Sequence, residues 1–324
     1  MKKSSVFPPT TKSDPFLDSP KVMSNIAFHA SLRKLIPSDY HVLLHDFLEI
    51  GSQRRLELIR SVPRRTLAVS LTGRSCSLHC AHCGGHYLNG MKPFSDLSEG
   101  DIADIDSLLI SGGSDAHGAV PIKDHLARLL SLPERIRLNL HLGFQELGPI
   151  ETLLHRPGVT VSCDLIGDRE TIQETFGLPH TPDDYFDLFT AASSLVPTVP
   201  HITVGLRGGR LSGEEALIER LCRRPPPSLT FLAFRPTPKT RFESSLPPAP
   251  DVAAGVVATA AKSFPSESRI HIGCMRPAGT WRTVFDTLSW AAGARTIVMP
   301  SKELVECLVM AGIPLRETPE CCSL

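Results

Sequence analysis

No apolar run in this chain of 324 residues is longer than a strand, which excludes a helix that spans a bilayer. Charge of one sign is lacking too: 34 Lys and Arg stand against 34 Asp and Glu, so there is no basic excess to mark a nucleic-acid footprint. The start, Met1-Lys2-Lys3-Ser4-Ser5, leads into prolines and lacks the apolar core of an export signal. The expectation is a cytoplasmic protein with reduced thiols. No sequence repeat appears beyond an alternation of strand-like and helix-like runs. What is present is enough chain for one large core, and nine cysteines, three of them clustered.

Residues 1 to 22 are rich in Pro, Ser, Thr and Lys without apolar period, and read as a disordered tail. Residues 23 to 63 read as an N-terminal helical extension, because apolar positions recur at three and four through His41-Val42-Leu43-Leu44-His45-Asp46-Phe47-Leu48. Beyond Pro63 the pattern becomes βα units over residues 64 to 312. The strands expected there are Leu67 to Leu71, Ser107 to Ser111, Leu138 to Leu142, Val159 to Leu165, His201 to Leu206, Leu229 to Phe234, Arg269 to Gly273 and Thr296 to Met299. Eight strands is the count of a closed (βα)8 barrel, an α/β fold whose chemistry lies in the loops after strand C-termini. Residues 313 to 324 form a C-terminal tail that carries Cys321 and Cys322.

The first expected strand runs into Cys76-Ser77-Leu78-His79-Cys80-Ala81-His82-Cys83. Three thiolates on one short loop can hold three irons of a [4Fe-4S] cluster and leave the fourth iron free for a small molecule. The same cysteines can instead be three ligands of a structural zinc, with His79, His82 or His86 as the fourth. Zinc modules are small and self-contained, whereas this loop opens a long α/β chain, which favours the cluster.

A C-x3-C-x2-C motif after a first strand resembles the radical S-adenosylmethionine (radical SAM) superfamily, over about residues 65 to 300. The resemblance implies a TIM-type barrel, a [4Fe-4S] cluster on Cys76, Cys80 and Cys83, SAM chelated by the open iron, and an electron donor such as ferredoxin or flavodoxin. It also implies that Ser111-Gly112-Gly113-Ser114-Asp115 receives the methionine ammonium of SAM. Here the sequence departs from the family pattern, with Ser114 in place of an acid, and a plain glycine turn remains the alternative.

Asp164 can accept hydrogen bonds from ribose hydroxyls. Asp168 can do the same or cap the helix behind it. Arg235 and Arg276, at the ends of two strands, can hold a carboxylate or sit beside a cluster, or pair with an acid in the barrel mouth. Cys222 and Cys307 lie in helical patterns and suit core packing. Cys163 and Cys274 stand near strand C-termini, and two bare thiols at Cys321 and Cys322 are an oxidation liability unless they are ligands. An auxiliary [4Fe-4S] cluster on Cys274, Cys321 and Cys322, with Cys163 the first candidate for the remaining ligand, removes that liability. The alternative is an exposed tail with incidental thiols.

The cysteine loop, the glycine segment and Gly273-Cys274-Met275-Arg276-Pro277 resemble the branch with biotin synthase and the lipoyl synthases. Gly84-Gly85-His86-Tyr87, Asp164-Leu165-Ile166-Gly167-Asp168 and the Cys321-Cys322 pair resemble the two-protein lipoyl synthase. That resemblance implies sulfur insertion into an octanoyl chain on a carrier-protein lysine, with the octanoylated lipoyl carrier domain and a second radical SAM protein as partners. It also implies an apolar barrel interior that suits an alkyl chain. Two alternatives stand beside it: a radical SAM enzyme of the same branch acting on another substrate, and a zinc-binding scaffold without catalysis.

Overall fold

A computed structural model describes residues 26–324, so the reading of residues 1 to 22 falls outside the described residues. The described residues open with helices Ile26–Arg33 and His41–Gly51, the second burying Leu44, Phe47 and Leu48 on one stripe. Its strands are β1 (Leu58–Ser61), β2 (Thr66–Ser70), β3 (Lys92–Pro93), β4 (Ser107–Ser111), β5 (Arg137–His141), β6 (Val159–Asp164), β7 (Thr198–Val204), β8 (Ser228–Ala233), β9 (Arg269–Ile272), β10 (Thr296–Val298) and β11 (Leu315–Thr318). All of them join one curled, wholly parallel sheet in the order β11-β1-β10-β9-β8-β7-β6-β5-β4-β2-β3.

The eight strands read from the sequence are β2 and β4 to β10, side by side in chain order. The curl departs from a closed eight-stranded barrel, because β1 and β11 extend the sheet beyond β10. The chain leaving β11 then reaches the chain entering β2: Val62 N–H donates to Thr318 O at 2.9 Å and Arg65 N–H to Pro319 O at 2.8 Å. One expectation is corrected by this: the extension over residues 23 to 63 is helical only to Gly51 among the described residues, and its end is strand β1. In residues 313 to 324, β11 pairs with β1 and the residues after it turn into the barrel.

Alternation along the strands divides the side chains. Leu108, Ile110, Leu138, Leu140 and Val161 face outward and are fully buried under the helices. Burial of each such side chain stabilises the fold by about 1.5–3 kcal/mol relative to exposure. The inward positions are polar, as Thr66, Ser107, Asn139, Ser162, His201, Thr230 and His271 line the lumen.

Candidate functional site

The cysteine loop leaves β2 and is pinned from three sides. Gly113 N–H, at the exit of β4, donates to Thr72 Oγ1 at 2.7 Å, and Ser77 N–H donates to Ser114 O at 2.8 Å. Ala81 N–H donates to Thr175 O in the helix Arg169–Phe176, and Ala81 O accepts from Phe242 N–H. A Cβ on Gly113 would lie 1.9 Å from Ser75 O and 2.6 Å from Cys76 Cα, so only glycine lets β4 approach this closely. Gly85, at φ 77°, turns the loop out of Cys83 into His86–Gly90.

The three thiols feel one another. Burial, and then the neighbouring Cys83 and Cys76, push Cys80 up to about 12, and burial raises Cys83 as well. Without a metal both stay protonated, so loading a cluster releases protons. His82, one candidate fourth ligand for zinc, is buried edge-on against Phe176 at 5.6 Å, and burial lowers it to about 4. His79 and His86 are exposed beside Arg74 and Lys239 on a cavity that Cys76 and Cys83 also line. Among the described residues no three His, Cys, Asp or Glu side chains converge as ligands of a single ion. A cubane makes no such demand, because each thiolate takes a separate iron.

The C-terminal residues bring a second thiol group into the lumen. Cys321 N–H donates to Thr66 Oγ1 at 3.0 Å, and its Sγ lies 3.7 Å from Asn139 Nδ2. The Cys321 and Cys322 thiols act on one another, and both interact electrostatically with Cys274. The Cys322 thiol is the main cause that lowers Cys321 to about 6, against the opposing effect of burial. Cys163 is not in this group. Its strand neighbour Ser162 faces the lumen, donating to Asn139 Oδ1 at 2.8 Å, so the pleat turns Cys163 outward into the core at 3% exposure.

The other residues singled out in the sequence divide between the mouth and the scaffold. Asp164 and Cys274 are open to water at the mouth, yet the surrounding wall raises the Asp164 carboxyl to about 6. Asp164 and Cys80 both act on the buried phenol of Tyr185, which places the carboxylate near the cysteine loop. Arg235 is half-buried with its guanidinium carbon 5.9 Å from the centre of the Tyr87 ring, next to the same loop. Ser111 and Gly112 end β4 against Leu71 and Thr72. Asp115 is tied up locally, its Oδ1 accepting from His117 and Ala119 N–H at 2.8 and 3.0 Å. Asp168 caps the helix Arg169–Phe176 through Thr171. Arg276 is fully buried in an ion pair with Asp286 at 2.8 Å, which leaves it no ligand to hold.

The chain shares its fold with methylornithine synthase. With that enzyme (PylB) the TM-score is 0.57 at 11% identity, covering 92% of this chain and 96% of the other. With HydG, a maturase of the [FeFe]-hydrogenase, it is 0.59 at 13% identity, covering 92% and 77%. Identities this low carry the fold alone. No family model and no curated protein sequence matches the chain.

Sequence reasoning missed the lumen histidines. His141 and His201 have ring centres 5.1 Å apart, and burial lowers His141, His201 and His271 far enough to keep all three neutral. The signal was present as polar residues at alternate positions of apolar runs, in Arg137-Leu138-Asn139-Leu140-His141 and Arg269-Ile270-His271-Ile272. The expected apolar interior is corrected accordingly.

Proposed function

We propose that this protein is a radical SAM enzyme that inserts sulfur into an octanoyl chain on a carrier-protein lysine, the lipoyl synthase type of reaction. One observation carries the reading: Cys76, Cys80 and Cys83 form one thiol group at the barrel mouth, and Cys274, Cys321 and Cys322 form a second. The donor sets suit iron–sulfur clusters, being soft thiolates on a pinned loop and in a polar lumen. The fold, shared with methylornithine synthase and HydG, is the one the cysteine motif led us to expect. When bound, a cluster with SAM supplies reductive cleavage to methionine and a 5′-deoxyadenosyl radical, and the second cluster supplies sulfide.

The chain's own groups bind and orient. Backbone groups of Ser111, Gly112, Gly113 and Ser114 lie against the cysteine loop, where the methionine end of SAM belongs. Asp164 accepts from the ribose hydroxyls and Arg235 stands by for a carboxylate. The partners that go with this reading are an electron donor such as ferredoxin or flavodoxin at the loop, an octanoylated lipoyl carrier domain, and a second radical SAM protein.

The polar lumen favours a second reading. His201 Nδ1, His271 Nδ1 and Thr230 Oγ1 are buried without partners on three neighbouring strands, a poor wall for an alkyl chain. A substrate with hydrogen-bonding groups fits them better, as in another enzyme of the biotin synthase-like branch. Anaerobic reconstitution followed by SAM, dithionite and an octanoyl-lysyl peptide decides between them. Thiolated peptide, read by mass, supports the lipoyl reaction. Deoxyadenosine with unaltered peptide moves the assignment to the second reading.

Asp164 gives a further test in two measurements. Asp164→Asn is expected to weaken SAM binding by about tenfold or more, as a charged hydrogen bond contributes about 1.5–3 kcal/mol. The raised pKa means that the folded carboxyl holds its proton longer than the unfolded one, so ionisation destabilises the fold as pH rises from about 4 through about 6. The variant is therefore expected to be more stable than the parent at pH 8, by about 1 kcal/mol because water screens an open carboxylate, and equal to it at pH 4. Urea melts at the two pH values check the sign.

A further inference from the structure

We propose that Asn139 and His201 are positioning residues that latch the C-terminal segment in the lumen and so assemble Cys274, Cys321 and Cys322 into one group. The role rests on the reading of those thiols as a second cluster site, but its structural basis is independent of any cluster.

The segment is held in two stages. Up to residue 321 the holding groups come from β1, β5 and the approach to β2: Arg65 N–H donates to Pro319 O at 2.8 Å, Ser61 Oγ donates to Glu320 O at 2.7 Å, and Arg137 pairs with the Glu320 carboxylate. Thr66 Oγ1 then receives Cys321 N–H. These contacts fix the path of the backbone into the barrel but leave the thiols free to turn.

Beyond that point two lumen side chains take over. Asn139 is fully buried on β5, and the Ser162 hydroxyl donates to its Oδ1 at 2.8 Å. The amide is thereby oriented with Nδ2 toward Cys321 Sγ. His201, at 5% exposure on β7, meets the Ser323 hydroxyl through Nε2 at 3.2 Å, with its ring packed edge-on against His141. Anchoring residues 321 and 323 leaves Cys322 between two fixed points. Two side chains on opposite flanks of β6 thus place two thiols opposite Cys274, which enters from the end of β9.

The test uses the full-length, metal-free enzyme, with thiol reactivity toward iodoacetamide read peptide by peptide by mass. Asn139→Leu and His201→Phe keep volume and remove the polar contact. Each is expected to speed alkylation of Cys321 and Cys322 by about tenfold, the effect of leaving one buried partner unpaired. Bridging of Cys274 to the tail thiols by dibromobimane should fall in parallel. His201→Gln, whose amide nitrogen occupies the place of Nε2, should return both readings to within about threefold of the parent, which a purely space-filling role would not predict. Unchanged alkylation in the Leu and Phe variants overturns the latch, as does a Gln variant no better than Phe. A matching rise at Cys307, buried in the helix Lys302–Met310, would mean general loosening and overturn it too. Because no iron is involved, these outcomes stand apart from the iron content of the reconstituted parent, which tests the function itself.

Discussion

Cys80→Ala is expected to abolish reductive cleavage of SAM while leaving the barrel folded. The thiol is one of three on its loop, so its loss removes a cluster ligand. The fold depends on the backbone at this residue, since Cys80 O accepts from Cys83 and Gly84 N–H at 3.1 and 2.9 Å, and alanine keeps both. The loop's other anchors, at Ser77, Ala81 and Gly113, do not involve the thiol. The unfolding midpoint should shift by a few degrees at most, the scale of about 1 kcal/mol in a chain of this size. Full production of 5′-deoxyadenosine by the variant, measured after anaerobic reconstitution, would sink the radical SAM reading.

Deletion of residues 321 to 324 is the second large effect. Two cubanes carry about eight irons per chain and one carries about four, so iron is expected to fall by half. Pro319 and Glu320 remain, and with them the contacts of Arg65, Ser61 and Arg137 that hold β11 against the chain entering β2. The sheet should therefore keep its fold, and SAM cleavage at the intact first loop should persist. Thiolation should stop. Eight irons with continued thiolation in the truncated protein would make the second thiol group incidental, while four irons in the intact protein would hand the assignment to an enzyme with a single cluster.

The sheet was legible because parallel strands buried under helices read as apolar runs, and Ser107–Ser111 and Val159–Asp164 lie within a residue of where the pattern put them. β1 and β11 were not legible. Leu58-Ile59-Arg60-Ser61 and Leu315-Arg316-Glu317-Thr318 are short and half polar, and their strand form rests on pairing far along the chain, β1 with β10 and β11, and β11 with β1. The grouping of Cys76, Cys80 and Cys83 was readable from spacing alone, as these thiols are neighbours in the chain. The second group needed three dimensions: Cys274 and Cys321 are distant in sequence, and whether Cys163 joined them turned on the parity of one position in β6. Asp168 and Arg276 had two readings each, and local partners, Thr171 and Asp286, decided both.

The pairing of β1 also orders events during synthesis. Ile59 lies opposite Thr296 on one side and Arg316 on the other, and these are its neighbours in the sheet. As the chain emerges from the ribosome, Leu58–Ser61 has both edges unpaired until β10 and β11, far along the chain, have been made. Such bare edges are templates for pairing with other chains. Contacts this distant in sequence also form slowly, because loop closure must precede any gain from them. β1 and β11 complete one end of the sheet together, so a chain stalled before they pair exposes an unpaired edge there, and such edges favour joining a neighbour.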